Sequence, residues 1–235
     1  MQQEMSPETT ADNLPVIPWR EFIQRFSWKQ GEHVTLLGPT GQGKTTLALA
    51  LLPLRRYVVV CATKPKDPLL DKLRRQGYRV IRDWPPPSMT ERVVFWPRYK
   101  SMSDAFEQRR AFAAGLHTMF ASGGWCIYID EGSYVSEFLR LDSELKTIWQ
   151  QGRTQNISLV LAAQRPAFIP VTAYSSATHL FFWRNNDDVD LKRIGGIGGI
   201  SSKEIRNTVQ VLPRYHVLYV CTRTGEMSIT KAEAR

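Results

Sequence analysis

The chain has 235 residues, 31 Lys plus Arg against 22 Asp plus Glu, a formal net charge of +9 and 43% hydrophobic residues. That length suits one large domain whose core needs no disulfide or metal staple. The composition excludes a disordered or low-complexity chain. A membrane span is excluded too: the longest apolar run, Leu47 to Leu54, contains Pro53 and falls far short of the ~18–20 residues required.

The N-terminus lacks the basic-then-apolar pattern of a signal peptide. Cys61, Cys126 and Cys221 are far apart and sit in or beside apolar runs. They read as buried residues of a reducing, cytoplasmic compartment, not as a disulfide framework or metal site. His33, His117, His179 and His216 are equally scattered. The charge is uneven. Residues 1–15 carry three acids and no Lys or Arg, whereas residues 55–110 hold 14 basic and six acidic residues, a local charge of +8. A basic block of this kind can be the footprint of a polyanion, nucleic acid and membrane surface both being open, or a solvated helix face with its loops.

In chain order, Met1 to Asn13 is polar and aperiodic and reads as a loose tail. A short helix is expected over Trp19–Phe26, then a strand over His33–Leu37. A helix follows over Lys44–Leu52, which Pro53 ends. Tyr57–Cys61 is a continuous apolar strand of the type buried on both faces of a parallel sheet. Asp67–Gln76 reads as a helix, Tyr78–Ile81 and Arg92–Phe95 as short strands, and Ser103–Phe120 as a longer helix that Gly123-Gly124 breaks. Trp125–Ile129 is another buried strand, followed by a helix over Glu137–Gln151 and strands over Ile157–Ala163 and Thr178–Trp183. Two short helices, Asp187–Ile194 and Ser202–Val211, flank the turn Gly195–Gly199. Tyr215–Cys221 and Met227–Thr230 form a closing hairpin around Thr224-Gly225. Buried strands alternating with helices predict an α/β fold with a largely parallel sheet. The expected organisation is a tail, residues 1–16, ahead of a single domain, residues 17–235.

Gly38-Pro39-Thr40-Gly41-Gln42-Gly43-Lys44-Thr45, followed by Thr46, satisfies GxxxxGK[ST] at every fixed position, between an apolar strand and a helix. Glycines let backbone N–H groups turn inward around phosphates, and the helix N-terminus adds its positive end. In this pattern Lys44 reaches the β- and γ-phosphates of ATP and Thr45 places its hydroxyl on Mg²⁺. The strand Trp125–Ile129 runs into Asp130-Glu131. Asp130 is suited to orient Mg²⁺ and Glu131 to polarise an attacking water. Gln164 ends the next apolar strand, where a neutral amide is placed to touch both the γ-phosphate and that water.

The run Gln151 to Pro166, with Arg153 before the strand and Gln164-Arg165-Pro166 after it, resembles the corresponding region of the FtsK/HerA superfamily of DNA-pumping P-loop ATPases. With the two preceding motifs, the resemblance covers roughly residues 30–230. It implies a RecA-like core, with the additional strand and catalytic glutamate of that group, assembled as a ring that is usually a hexamer. Gln164 then matches the sensor position. Arg153 matches an arginine finger given to the neighbour's nucleotide, a role that a planar, permanently charged guanidinium fits; Arg165 is the alternative finger. In size the chain is similar to the minimal genome-packaging ATPases of tailless, internal-membrane viruses and phages. That implies double-stranded DNA as partner, Lys64, Lys66, Arg98 and Lys100 as candidate backbone contacts, and docking to a capsid vertex or membrane-associated portal proteins. It also implies work in a host cytoplasm or at a virion vertex. Cellular or plasmid translocases, nucleoside or small-molecule kinases and protein-export ATPases are the competing readings.

Overall fold

The structure, a computed structural model, describes residues 14–88, 90–195 and 202–233. Most of the expected tail and the glycines of the 195–199 turn beyond Gly195 lie outside the described residues. The elements in chain order are α1 (Trp19–Arg25), β1 (Val34–Leu37), α2 (Lys44–Leu51), β2 (Val58–Cys61), α3 (Leu69–Arg75), β3 (Arg79–Ile81), β4 (Arg92–Phe95), α4 (Ala105–Ser122) and β5 (Cys126–Ile129). There follow α5 (Asp142–Gln151), β6 (Ser158–Ala163), α6 (Thr172–Ser175), β7 (His179–Trp183), α7 (Asp188–Ile194), α8 (Ser202–Val211), β8 (His216–Cys221) and β9 (Met227–Lys231).

The strands form one sheet in the order β3-β4-β2-β5-β6-β1-β7-β8-β9. From β3 to β7 every pair is parallel. β8 and β9 close the sheet as an antiparallel hairpin. The expected α/β class, the largely parallel sheet and the C-terminal hairpin are therefore present. The apolar runs read as doubly buried are doubly buried for a simple reason: alternate residues of each strand face opposite layers. Val59 and Cys61 pack with Phe95, Phe112 and Leu116 on one face, under α4 and α5. Val58 and Val60 pack with Leu47, Leu51 and Leu73 on the other, under α2 and α3. All three cysteines are free and buried. Among the described residues no helix is long and apolar enough to cross a membrane.

Three expectations change. The single helix expected over Glu137–Gln151 is broken. A π-helical turn spans Tyr134–Phe138, and Arg140 turns left-handed at φ 53° before α5 begins at Asp142. The cause is packing: Leu139 and Leu141 are both buried, and residues two apart on a continuous helix face nearly opposite ways. Pro15 and Val16, expected in the tail, lie with Ile17 along β9, with Ile229 N–H donating to the Pro15 carbonyl at 2.9 Å and Ile17 N–H to the Ile229 carbonyl at 2.8 Å. The basic block of residues 55–110 is not one patch. Arg55, Arg56 and Arg92 lie at the edge where the parallel strands begin, and the loops with Lys64, Lys66, Arg98 and Lys100 lie where they end.

Candidate nucleotide site

The parallel strands deliver their following loops to one edge of the sheet, the usual place for a ligand in such folds. β1 leads into the glycine-rich loop, β5 into Asp130-Glu131 and β6 into Gln164. Because β6 lies between β5 and β1, Gln164 is set between the glycine-rich loop and the acidic pair. The loop after β2, next to β5, brings Lys64 to the same place. These groups surround an open cavity of about 540 Å³ lined by Thr40, Gly41, Gly43, Lys44, Thr45, Thr46, Lys64, Asp130, Glu131, Gln164, Tyr215 and Ala232.

The backbone of the glycine-rich loop explains its composition. Gly41 and Gly43 hold φ of 75° and 107°, values a side chain would strain. Gly43 N-caps α2, whose second residue is Thr45. Lys44 is buried and folds back over the loop, its Nζ donating to the Gly38 carbonyl at 2.5 Å and the Pro39 carbonyl at 2.9 Å. Burial pushes its ammonium below the ordinary value, against the opposing pull of Asp130 and Glu131. The Thr45 hydroxyl donates to Asp130 Oδ1 at 3.0 Å. The buried Tyr128 hydroxyl donates to the same oxygen. Tyr128 and Asp130 are two residues apart on a strand and its continuation, so they share a face.

Glu131 meets Lys64, with Nζ to Oε1 at 2.8 Å; Lys64 also reaches Asp130 at 3.8 Å. Burial pulls the Lys64 ammonium down, but the carboxylates of Glu131, Asp130 and Asp67 outweigh it and hold it above the ordinary lysine value. Gln164 is exposed, and its Nε2 lies 3.5 Å from Glu131 Oε2. The three acidic and amide positions expected from sequence, Asp130, Glu131 and Gln164, are thus brought together. Lys64, expected with Lys66 as a DNA-backbone contact, lines this cavity and is paired with Glu131. Lys66, Arg98 and Lys100 are exposed on loops at the same edge, and none is ion-paired among the described residues. Tyr215 and Ala232, at the ends of the closing hairpin, line the cavity without any local sequence signal.

The two arginines differ. Arg165 is held by Asp187 at 2.7 Å and by the buried Asp190 at 3.2 Å, and its guanidinium covers the Phe168 ring. Arg153 is exposed in the turn Gly152–Gln155 that precedes β6. It therefore sits at the opposite edge of the sheet from its own glycine-rich loop. The six residues of β6 alone separate it from Gln164 by about 20 Å.

Solved structures share this arrangement at the level of the chain trace. The genome packaging NTPase B204 of Sulfolobus turreted icosahedral virus 2, in complex with sulfate, superposes with a TM-score of 0.64 at 18% identity, covering 87% of this chain and 98% of that one. VirB4 of Thermoanaerobacter pseudethanolicus superposes with a TM-score of 0.66 at 11% identity, covering 91% and 92%. The chain has the P-loop ATPase fold. In sequence it is similar to the DNA packaging ATPase P9 of Enterobacteria phage PRD1, 22% identical over 196 residues, or 80% of this chain and 81% of that protein. No protein-family model matches the chain. The resemblance drawn from the motifs holds: this P-loop ATPase has a packaging ATPase as a sequence relative and packaging and VirB4 proteins as structural ones.

Proposed function

We propose that this P-loop ATPase is a motor that drives double-stranded DNA, packaging a genome into a capsid as a ring of identical copies. The observation that carries the reading is the convergence of the glycine-rich loop, Asp130-Glu131 and Gln164 on one cavity. The similarity to P9 and B204 supports packaging as the work done.

In this reading the Gly38–Thr46 segment cradles the phosphates of ATP. Lys44 exchanges its two carbonyl partners for phosphate oxygens. Thr45 and Asp130 offer a hydroxyl and a carboxylate 3.0 Å apart, an oxygen pair suited to Mg²⁺. That ion, when bound, neutralises charge on the β- and γ-phosphates. Glu131 accepts a proton from the attacking water once its carboxylate leaves Lys64. Gln164, beside Glu131, registers whether the γ-phosphate is present.

Arg153 serves the next subunit. At the far edge of the sheet it is out of reach of its own nucleotide, and in a ring it faces a neighbour's. Arg165, engaged by two carboxylates, is the poorer choice. Lys66, Arg98 and Lys100 grip the DNA backbone, a contact that carries no sequence information and so suits a motor. Action in a host cytoplasm at a packaging vertex follows from the same reading.

The test is ATP turnover with and without duplex DNA. Turnover stimulated by DNA and lost in Lys44→Ala is expected. Phosphate transfer to a nucleoside, with no DNA response, would replace the motor with a kinase.

A further inference from the structure

Phosphate chemistry accounts for most of the cavity lining. Tyr215 and Ala232, which stand against the glycine-rich loop, belong to the closing hairpin and not to any phosphate-binding motif. Tyr215 is 36% exposed, although it sits beside a strand whose following residues are buried. Its backbone is left-handed at φ 66°, a conformation a bulky aromatic residue adopts only when its surroundings impose it. Two contacts do so. The Tyr215 N–H donates to the Gln42 Oε1 of the glycine-rich loop at 3.3 Å, and the Tyr215 carbonyl accepts from the Ala232 N–H at 3.0 Å. The residue is therefore pinned between the phosphate loop and the end of β9. The Arg214 guanidinium lies 4.8 Å from the centre of the Tyr215 ring, covering one face.

We propose that Tyr215 is the platform for the nucleobase of the bound nucleotide, which stacks on the ring face opposite Arg214. The inference rests on the nucleotide-site reading above and extends it to the base. A tyrosine provides a broad flat surface at small entropic cost, and base stacking on such a ring does not depend on which base is present. The cation on the opposite face adds to the attraction for a π-system. The turn and the Tyr215 N–H contact to Gln42 set the ring's position relative to the phosphate loop, so base and phosphates are read at a set separation. Stacking alone accepts either purine, so ATP and GTP depend on Tyr215 alike.

The test is equilibrium binding to the full chain of ATP, GTP and inorganic tripolyphosphate, each with magnesium. Tyr215→Asn removes the ring but keeps a residue that tolerates a left-handed backbone; Tyr215→Phe keeps the ring. Tyr215→Asn is expected to weaken ATP and GTP by roughly five- to hundred-fold and to leave tripolyphosphate unchanged, while Tyr215→Phe binds all three as the unsubstituted protein does. Equal weakening of ATP and tripolyphosphate would show that Tyr215 only props the phosphate loop, and unchanged ATP binding in Tyr215→Asn would show that the base lies elsewhere; either overturns the platform. If the unsubstituted protein binds tripolyphosphate and nucleotide not at all, the nucleotide site itself is wrong and the platform falls with it.

Discussion

The two edges of the sheet hold their charges in opposite ways. At the edge where the parallel strands begin, Glu32 is buried and fully engaged: it accepts the Lys29 N–H at 2.8 Å, meets His179 at 3.1 Å and pairs with Arg223 at 2.7 Å. His179 in turn meets the Tyr219 hydroxyl at 3.0 Å. At the edge where the strands end, the part-exposed Lys64, Asp130 and Glu131 and the exposed Gln164 hold one another across an open cavity. The first arrangement is closed in charge, its buried carboxylate held by fixed partners, since a buried charge is tolerable only when paired. The second is loosely held and can change partners when a polyanion arrives. Arg153 breaks the pattern. It lies at the closed edge, yet it is exposed and has no ion pair among the described residues.

That exception sets the largest expected effect. Arg153→Ala should lower ATP turnover by about 10³–10⁵-fold, the range for an arginine finger, with nucleotide affinity nearly intact. Mixing Arg153→Ala with Glu131→Gln subunits should restore part of the turnover, because some interfaces then pair an intact Glu131 with an intact Arg153. Normal hydrolysis by an assembled Arg153→Ala ring would make this residue an ordinary part of the closed edge. At the open edge, Glu131→Gln should bind ATP but lose turnover by about 10²–10⁴-fold, the scale of a general base. A radiolabelled ATP-binding assay beside a phosphate-release assay separates the two properties.

How much of this was legible beforehand depended on distance along the chain. The glycine-rich loop and Asp130-Glu131 are contiguous signatures, and their chemistry is written in spacing. Gln164 could be read because it ends a strand, but its nearness to Glu131 depends on β6 lying beside β5. The Lys64–Glu131 pair is hidden in the sequence for the same reason: their loops meet only because β2 is the other neighbour of β5. Tyr215 gave no signal, since its position depends on a contact with Gln42 far away in sequence. The helix broken at Arg140 was misread because helix propensity carries no record of the need to bury both Leu139 and Leu141. Arg153 came from resemblance alone, and no local periodicity marks it.

The closed edge makes its own prediction, in stability. His33 is buried, and its Nδ1 accepts the Leu159 N–H at 2.9 Å, so only the neutral ring fits. Burial pushes the His33 imidazolium from 6.5 down to about 4. Burial also lowers His179, in spite of the pull of Glu32. The unfolded chain therefore takes up protons that the folded one refuses, so stability is complete above pH 6.5 and falls as the pH drops toward 4. His33 alone should remove roughly 2 kcal/mol between pH 7 and pH 5. Burial opposes ionisation of Glu32, but the Lys29 N–H, His179 and Arg223 outweigh it and hold its carboxyl below the ordinary range. Its contribution is lost only at lower pH. Urea denaturation midpoints from pH 7.5 to 5 should slope for the unsubstituted protein and flatten in His33→Asn, whose amide oxygen keeps the acceptor. An unchanged slope would place the sensitive group elsewhere.

The smallest effect divides the open edge itself. Lys64 faces inward onto Glu131, while Lys66, Arg98 and Lys100 are exposed on loops around it. Each exposed cation that neutralises one DNA phosphate contributes a slope of about −0.9 to log affinity against log salt. Removing one of them should make that slope shallower by about one, or roughly threefold less loss of affinity between 50 and 200 mM salt. Lys64→Ala should leave the slope where it is, because its ammonium is already neutralised by carboxylates in the nucleotide cavity. A titration of duplex DNA over that salt range, run on Lys66→Ala and Lys64→Ala side by side, reads the difference. If Lys64→Ala flattens the slope and Lys66→Ala does not, the boundary between cavity and DNA surface has been drawn on the wrong side of Lys64.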